Sequence, residues 1–148
     1  MRPKPFVYKI RPRVEAWPVN RIRKLSEDEV LSGFVHDMEA SALEERFARA
    51  LDKRGLRYAF QYIVTTPFQI PGQKSELDFV VEEYGIHPIE VDGTWIHKSS
   101  AQKSKVMLRD AILDDVLGKY GWKKIIRVPG NDLESQEMAD KTVEEIFT

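Results

Sequence analysis

The 148-residue chain contains no cysteine. That absence excludes a disulfide scaffold, a thiolate zinc site and a cysteine nucleophile. Long apolar runs are missing too. Nothing approaches the ~20 residues that cross a bilayer, so no membrane partner is expected. The opening Met-Arg-Pro-Lys-Pro leads into no apolar stretch of the kind a secretory signal needs, and a cytoplasmic location is expected. The phosphate-cradling patterns G-x-x-x-x-G-K-[ST] and G-x-G-x-x-G are absent, as is the G-x-S-x-G of serine hydrolases. No repeat or low-complexity tract interrupts the chain.

What is present is the composition of a single globular domain, 42% hydrophobic and 32% charged. The formal net charge of −1 conceals an asymmetry. Residues 1–25 carry Arg2, Lys4, Lys9, Arg11, Arg13, Arg21, Arg23 and Lys24 against Glu15 alone, a segment charge of +7. The remainder carries 15 basic and 23 acidic residues, or −8. Pro3, Pro5, Pro12 and Pro18 forbid a continuous helix in the segment, and Phe6, Tyr8 and Trp17 lie among its cations. A basic, proline-broken arm with aromatics suits a polyanion: cations for phosphates, rings for bases. It equally suits a solvated tail packing Val14, Trp17 and Val19 on the body, or an arm that docks an acidic protein. Residues 26–148 are expected to form one domain.

Within that domain the hydrophobic pattern predicts seven elements, in the order α-β-β-β-α-β-α, preceded by a short helix capped by Ser26 and Glu29. A helix is expected over 38–54, with Leu43, Phe47, Ala50 and Leu51 on one apolar arc and Gly55 as its stop. Strands are expected from Arg57 to Phe68, Glu76 to Tyr84 and His87 to Asp92, the last two as an antiparallel hairpin. A second helix follows over 100–120, capped by Ser99-Ser100. A strand from Lys124 to Val128 precedes a last helix capped by Asp132. The class is α/β, with helices flanking one central mixed sheet.

The chemistry concentrates in carboxylates. Strand alternation puts Glu90 and Asp92 on one face and Ile89 and Val91 on the other. It also sets Asp78 opposite Leu77 and Phe79. Hairpin pairing would bring Asp78 toward Glu90 and Asp92. Such a cluster repels itself unless a hard divalent cation, Mg²⁺ or Mn²⁺, neutralises it. On the first helix Glu44 borders the apolar arc and can reach the site, whereas Glu45 should face water. On the second helix Arg109 and Lys105 should project from the apolar face toward the acids. His97, in the loop after Asp92, is a candidate general base or ligand. The same residues also fit an ordinary polar strand face with ion pairs.

Three stretches, Ser41-Ala-Leu-Glu44, Glu76-Leu-Asp78 and Pro88-Ile-Glu90-Val-Asp92-Gly93, resemble the PD-(D/E)xK nuclease superfamily, which has the restriction-endonuclease-like fold. Together with His97, Arg109-Asp110 and Gly121-Trp122-Lys-Lys-Ile-Ile-Arg127-Val128, they are most similar to the small very-short-patch-repair-endonuclease-like proteins, over residues 38–147. The resemblance implies a Mg²⁺-dependent DNA endonuclease that hydrolyses phosphodiester bonds with a metal-activated water. It implies Asp78 and Glu90 as metal ligands, Glu44 as an auxiliary acid and Arg109 as a supporting residue. Asp92 occupies the position of the family's catalytic lysine. Lys105, Lys98, Lys74 or His97 would then have to serve instead, or the protein is an inactive nuclease-fold subunit of a repair, restriction or transposition complex. Action on both strands would call for two visits by one protein, a homodimer or a larger DNA-processing complex.

Overall fold

The computed structural model describes residues 30–64, 76–93 and 97–148. The basic arm, the Ser26–Glu29 capping box, Lys74 and the far end of the strand expected to reach Phe68 lie outside the described residues.

The described chain begins with a small hairpin, β1 (Phe34–Val35) and β2 (Met38–Glu39). His36 and Asp37 turn it, both at positive φ (47° and 66°), as a two-residue hairpin turn requires. Helix α1 (Ala42–Lys53) follows, with Ser41 and Glu44 forming a reciprocal capping box. Next come β3 (Arg57–Ile63), β4 (Glu76–Glu82) and β5 (Ile86–Asp92). Helix α2 (Ser100–Gly118) is capped by Ser99 and Gln102. Strand β6 (Ile126–Pro129), a 3₁₀ turn (Gly130–Leu133) and α3 (Gln136–Ile146) complete the fold. Ser135 rather than Asp132 caps α3, because Asp132 is taken up in the 3₁₀ turn.

The sheet order is β3-β4-β5-β6, with two antiparallel pairings and a parallel β5–β6 pair. The described residues are therefore mixed α/β, with a four-stranded mixed sheet and three helices. Helices α1 and α3 cover one face. Phe47, Leu51, Ala139 and Val143 there meet Phe79, Val81, Ile89 and Val128. Helix α2 covers the other, where Leu113 and Leu117 meet Tyr62, Leu77 and Val80. No helix among the described residues is long and apolar enough to cross a membrane.

One irregularity positions the site. Leu77 and Phe79 do not share a face as strand alternation predicts; Leu77 lies under α2 and Phe79 under α1. The β3–β4 ladder skips the Gln61–Asp78 pair, and Gln61 adopts φ +53°. On the other side the β4–β5 ladder runs only from Glu82–Ile86 to Phe79–Ile89. Beyond it the Asp78 carboxylate accepts the Val91 N–H at 2.7 Å, taking the place of a backbone carbonyl. Asp78 thus sits where the alternation breaks and its strand parts from β5.

Candidate active site

Four elements bring acids together. The capping box holds Glu44 in the first turn of α1, its Oε1 accepting the Ser41 N–H at 2.9 Å. Asp78 comes from the break in β4. Glu90 and Asp92 come from one face of β5, while Ile89 and Val91 turn to the α1 side, as alternation requires. Asp110 projects from α2.

The Asp78 carboxyl is pushed up to about 8, first by burial and then by the nearby Glu90 carboxylate; the Val91 N–H pulls it down and Glu44 pushes it further up. Three expected residues, Glu44, Asp78 and Glu90, are therefore close enough to act on one another. Asp92 is not part of that set. It is buried, with Arg127 Nη1 at 3.2 Å from its Oδ2 and Lys98 Nζ at 4.0 Å from its Oδ1.

Arg109 is buried, as its place on the apolar face of α2 predicts. Its Nη1 lies 2.6 Å from Glu90 Oε1 and 3.2 Å from Asp110 Oδ1, and its Nη2 donates to Glu76 O at 2.6 Å. The Glu90 contact is a close ion pair that lacks aligned hydrogen-bond geometry. Arg127, in register with Glu90 across the parallel pair, spans Asp92 and Asp110; its Nη2 lies 3.1 and 2.8 Å from the two Asp110 oxygens. The dipeptide Arg109-Asp110 so grips both acids of β5, Glu90 directly and Asp92 through Arg127. Arg109-Asp110 and Arg127 were singled out among the motif residues, but no role was assigned to Asp110 and no bridge between acids to Arg127.

Two expectations fail. Lys105 is exposed and does not point at the acids: residues 100–108 of α2 include no buried residue, so the helix reaches the sheet only from Arg109 onward. Glu45 does not face water. It is buried, accepts the N–H groups of Ser32 and Gly33 at 2.9 and 2.7 Å, and pairs with Arg49 at 2.7 Å. The β1–β2 hairpin and its approach cover that side of α1. His97 is exposed and lines a cleft of about 230 Å³ with Asp92, Gly93, Asn131 and Glu134.

Family models, curated proteins and solved structures give no match to this chain. Function must be argued from the geometry.

A larger cavity, about 340 Å³, lies on the far side of α1 between Phe34, Glu45, Arg49, Asp52 and Tyr58. Two of its acids have partners, Arg49 lying 2.7 Å from Glu45. Tyr58 donates to Asp52 at 2.9 Å, and burial pushes the Asp52 carboxyl up to about 6. The carboxylate cluster is different in kind, since Asp78 and Glu90 crowd each other across a split in the sheet.

The donor set suits a hard cation. Its ligands would be oxygen only, and burial beside the Glu90 carboxylate pushes the Asp78 carboxyl up, a crowding that a counter-charge would relieve. Among the described residues no three His, Asp or Glu side chains close into a preformed cage. Mg²⁺ needs none, because it commonly binds through one or two carboxylates, with water and substrate phosphate completing its shell.

Proposed function

We propose that the protein is a Mg²⁺- or Mn²⁺-dependent DNA endonuclease with a restriction-endonuclease-like core. The observation that carries the reading is the Asp78–Glu90 pair, one acid holding a proton into the neutral range and the other clamped by buried Arg109. Asp78 and Glu90 would hold the cation. When bound, it supplies positive charge to the phosphate and lowers the pKa of a water.

The chain's own residues do the rest. Arg109 fixes Glu90 and keeps one of its oxygens engaged. The Val91 N–H fixes Asp78 and favours its ionised form. Glu44, tethered by the Ser41 N–H, orients a water hydrogen at the rim of the cluster. The strongly basic segment 1–25 offsets the repulsion between DNA and these acids. The chain departs from the superfamily at Asp92, which favours a second reading, a DNA-binding subunit without catalysis.

Cleavage of plasmid, branched and single-stranded DNA distinguishes them. The nuclease reading expects cutting with Mg²⁺ or Mn²⁺ and none with EDTA. It expects Asp78→Ala and Glu90→Ala to lower the rate by at least about 100-fold while leaving the circular dichroism spectrum unchanged. Salt-sensitive DNA binding without cutting by folded wild-type protein supports the second reading.

A further inference from the structure

Asp92 presents a problem for a cation site on Glu90. It lies two residues along the same strand face, about 7 Å away by strand geometry, and is a buried carboxylate. An acid so placed would ordinarily join the coordination of any divalent ion nearby. We propose, on the metal-site reading above, that Arg127 is a positioning residue that withholds Asp92 from the ion, leaving Asp78 and Glu90 as its protein ligands.

The geometry supports a division of labour within one guanidinium. Nη1 takes Asp92 at 3.2 Å and Nη2 takes both Asp110 oxygens. A planar fork can serve two acids at once in this way, which a point charge cannot. Asp110 anchors the fork to α2, and the parallel register anchors its backbone beside Glu90. The guanidinium is thus held from two sides and pulls Asp92 toward β6. Lys98, at 4.0 Å, adds a second cation on the other oxygen. Without Arg127, Asp92 and Asp110 would lose the cation they share.

The test is Mn²⁺ binding to the full chain, followed by electron paramagnetic resonance. Bound waters are counted by electron–nuclear double resonance. Arg127→Met should bind Mn²⁺ at least about tenfold more tightly than the wild type, with one bound water fewer, as Asp92 enters the shell. The double variant Arg127→Met/Asp92→Asn has the wild type's net charge and should return to the wild type's affinity and water count. Arg127→Gln should match the methionine variant and serves if that protein does not fold.

A double variant that binds about tenfold more weakly than the wild type would make Asp92 a native ligand and overturn the proposal. Tighter binding by Arg127→Met with an unchanged water count would reduce Arg127 to a distant charge, and overturns it as well. Uptake by Arg127→Met but none by the wild type would leave no native ion for Arg127 to keep from Asp92, and overturns the proposal together with the nuclease reading. Uptake by neither protein contradicts both.

Discussion

Asp78 carries the site's main tension, and its titration gives the sharpest residue-scale prediction. Its native carboxyl is raised well above the ordinary 3.8, to about 8. A raised acid favours the native state below its unfolded value, and the advantage is lost as pH rises through the native one. In metal-free buffer the wild type should therefore lose stability between about pH 4 and pH 8. Asp78→Asn keeps an oxygen for the Val91 N–H and removes the charge. It should be more stable than the wild type at pH 8 by upwards of about 1 kcal/mol, with the gain vanishing below pH 4. Urea unfolding at the two pH values measures this, and a destabilised Asn variant at pH 8 would count against the crowding. Arg109→Met should instead cost about 3 kcal/mol at pH 8, since Glu90 would be left buried without its partner. Glu90 and Arg109 were legible from alternation and helical spacing, because each depends on its own element, whereas Asp78 was picked out by an alternation that breaks at that residue. Glu45 and Lys105 were not legible. Their surroundings depend on a hairpin turned by His36-Asp37, which has no standard turn signature, and on where the sheet ends beneath α2.

At the scale of elements, the strand ends that frame the acids are set by close backbone approach. A Cβ on Gly130 would lie 2.6 Å from the Gly93 Cα and 3.0 Å from Leu43 Cδ1. Gly130→Ala should therefore force β6, β5 and α1 apart and cost about 2 kcal/mol, read as a drop in the thermal midpoint. Gly118, the last residue of α2, has no neighbour within 4 Å of an added Cβ and no positive φ. Gly118→Ala should be neutral or stabilise by about 0.5 kcal/mol. Unaltered stability of Gly130→Ala would contradict the tight junction. Apolar periodicity and turn residues made α1, α2 and the β4–β5 hairpin readable, and Ser99 is a cap as its position suggested, while Ser41 caps α1 three residues inside the helix expected over 38–54. The break in β4 was hidden. In isolation, Leu77-Asp78-Phe79 reads as regular alternation. Only the missing Gln61–Asp78 pair and the parted β5 reveal that the two apolar residues serve opposite cores.

On the nuclease reading, the charge split of the whole molecule becomes a division between holding and cutting. The acids gather at the break in the sheet, and the excess of cations lies in residues 1–25. Deleting that segment should weaken DNA binding and flatten its dependence on salt by several units of slope, since each phosphate neutralised contributes about 0.9. Fluorescence anisotropy between 50 and 200 mM salt measures it, and an unchanged slope would remove the arm from DNA contact. The α/β class and the order from α1 onward were legible because α1 and α3 are amphipathic and the strands are bounded by turn residues, but the β1–β2 hairpin, whose second strand lies where a helix over 38–54 was expected, was not. The inter-element ties were not, as Arg127 to Asp110 and Asp92 shows, because they join residues 17 and 35 positions apart.

The central claim is that Asp78 holds a proton in the place of a divalent cation. Its carboxyl carbon, followed by ¹³C nuclear magnetic resonance against pH with and without Mg²⁺, tests this directly. The expected midpoint is near 8 without metal and drops into the ordinary acidic range when Mg²⁺ is added. A midpoint that Mg²⁺ leaves unmoved, or one already in the acidic range without it, would contradict the account.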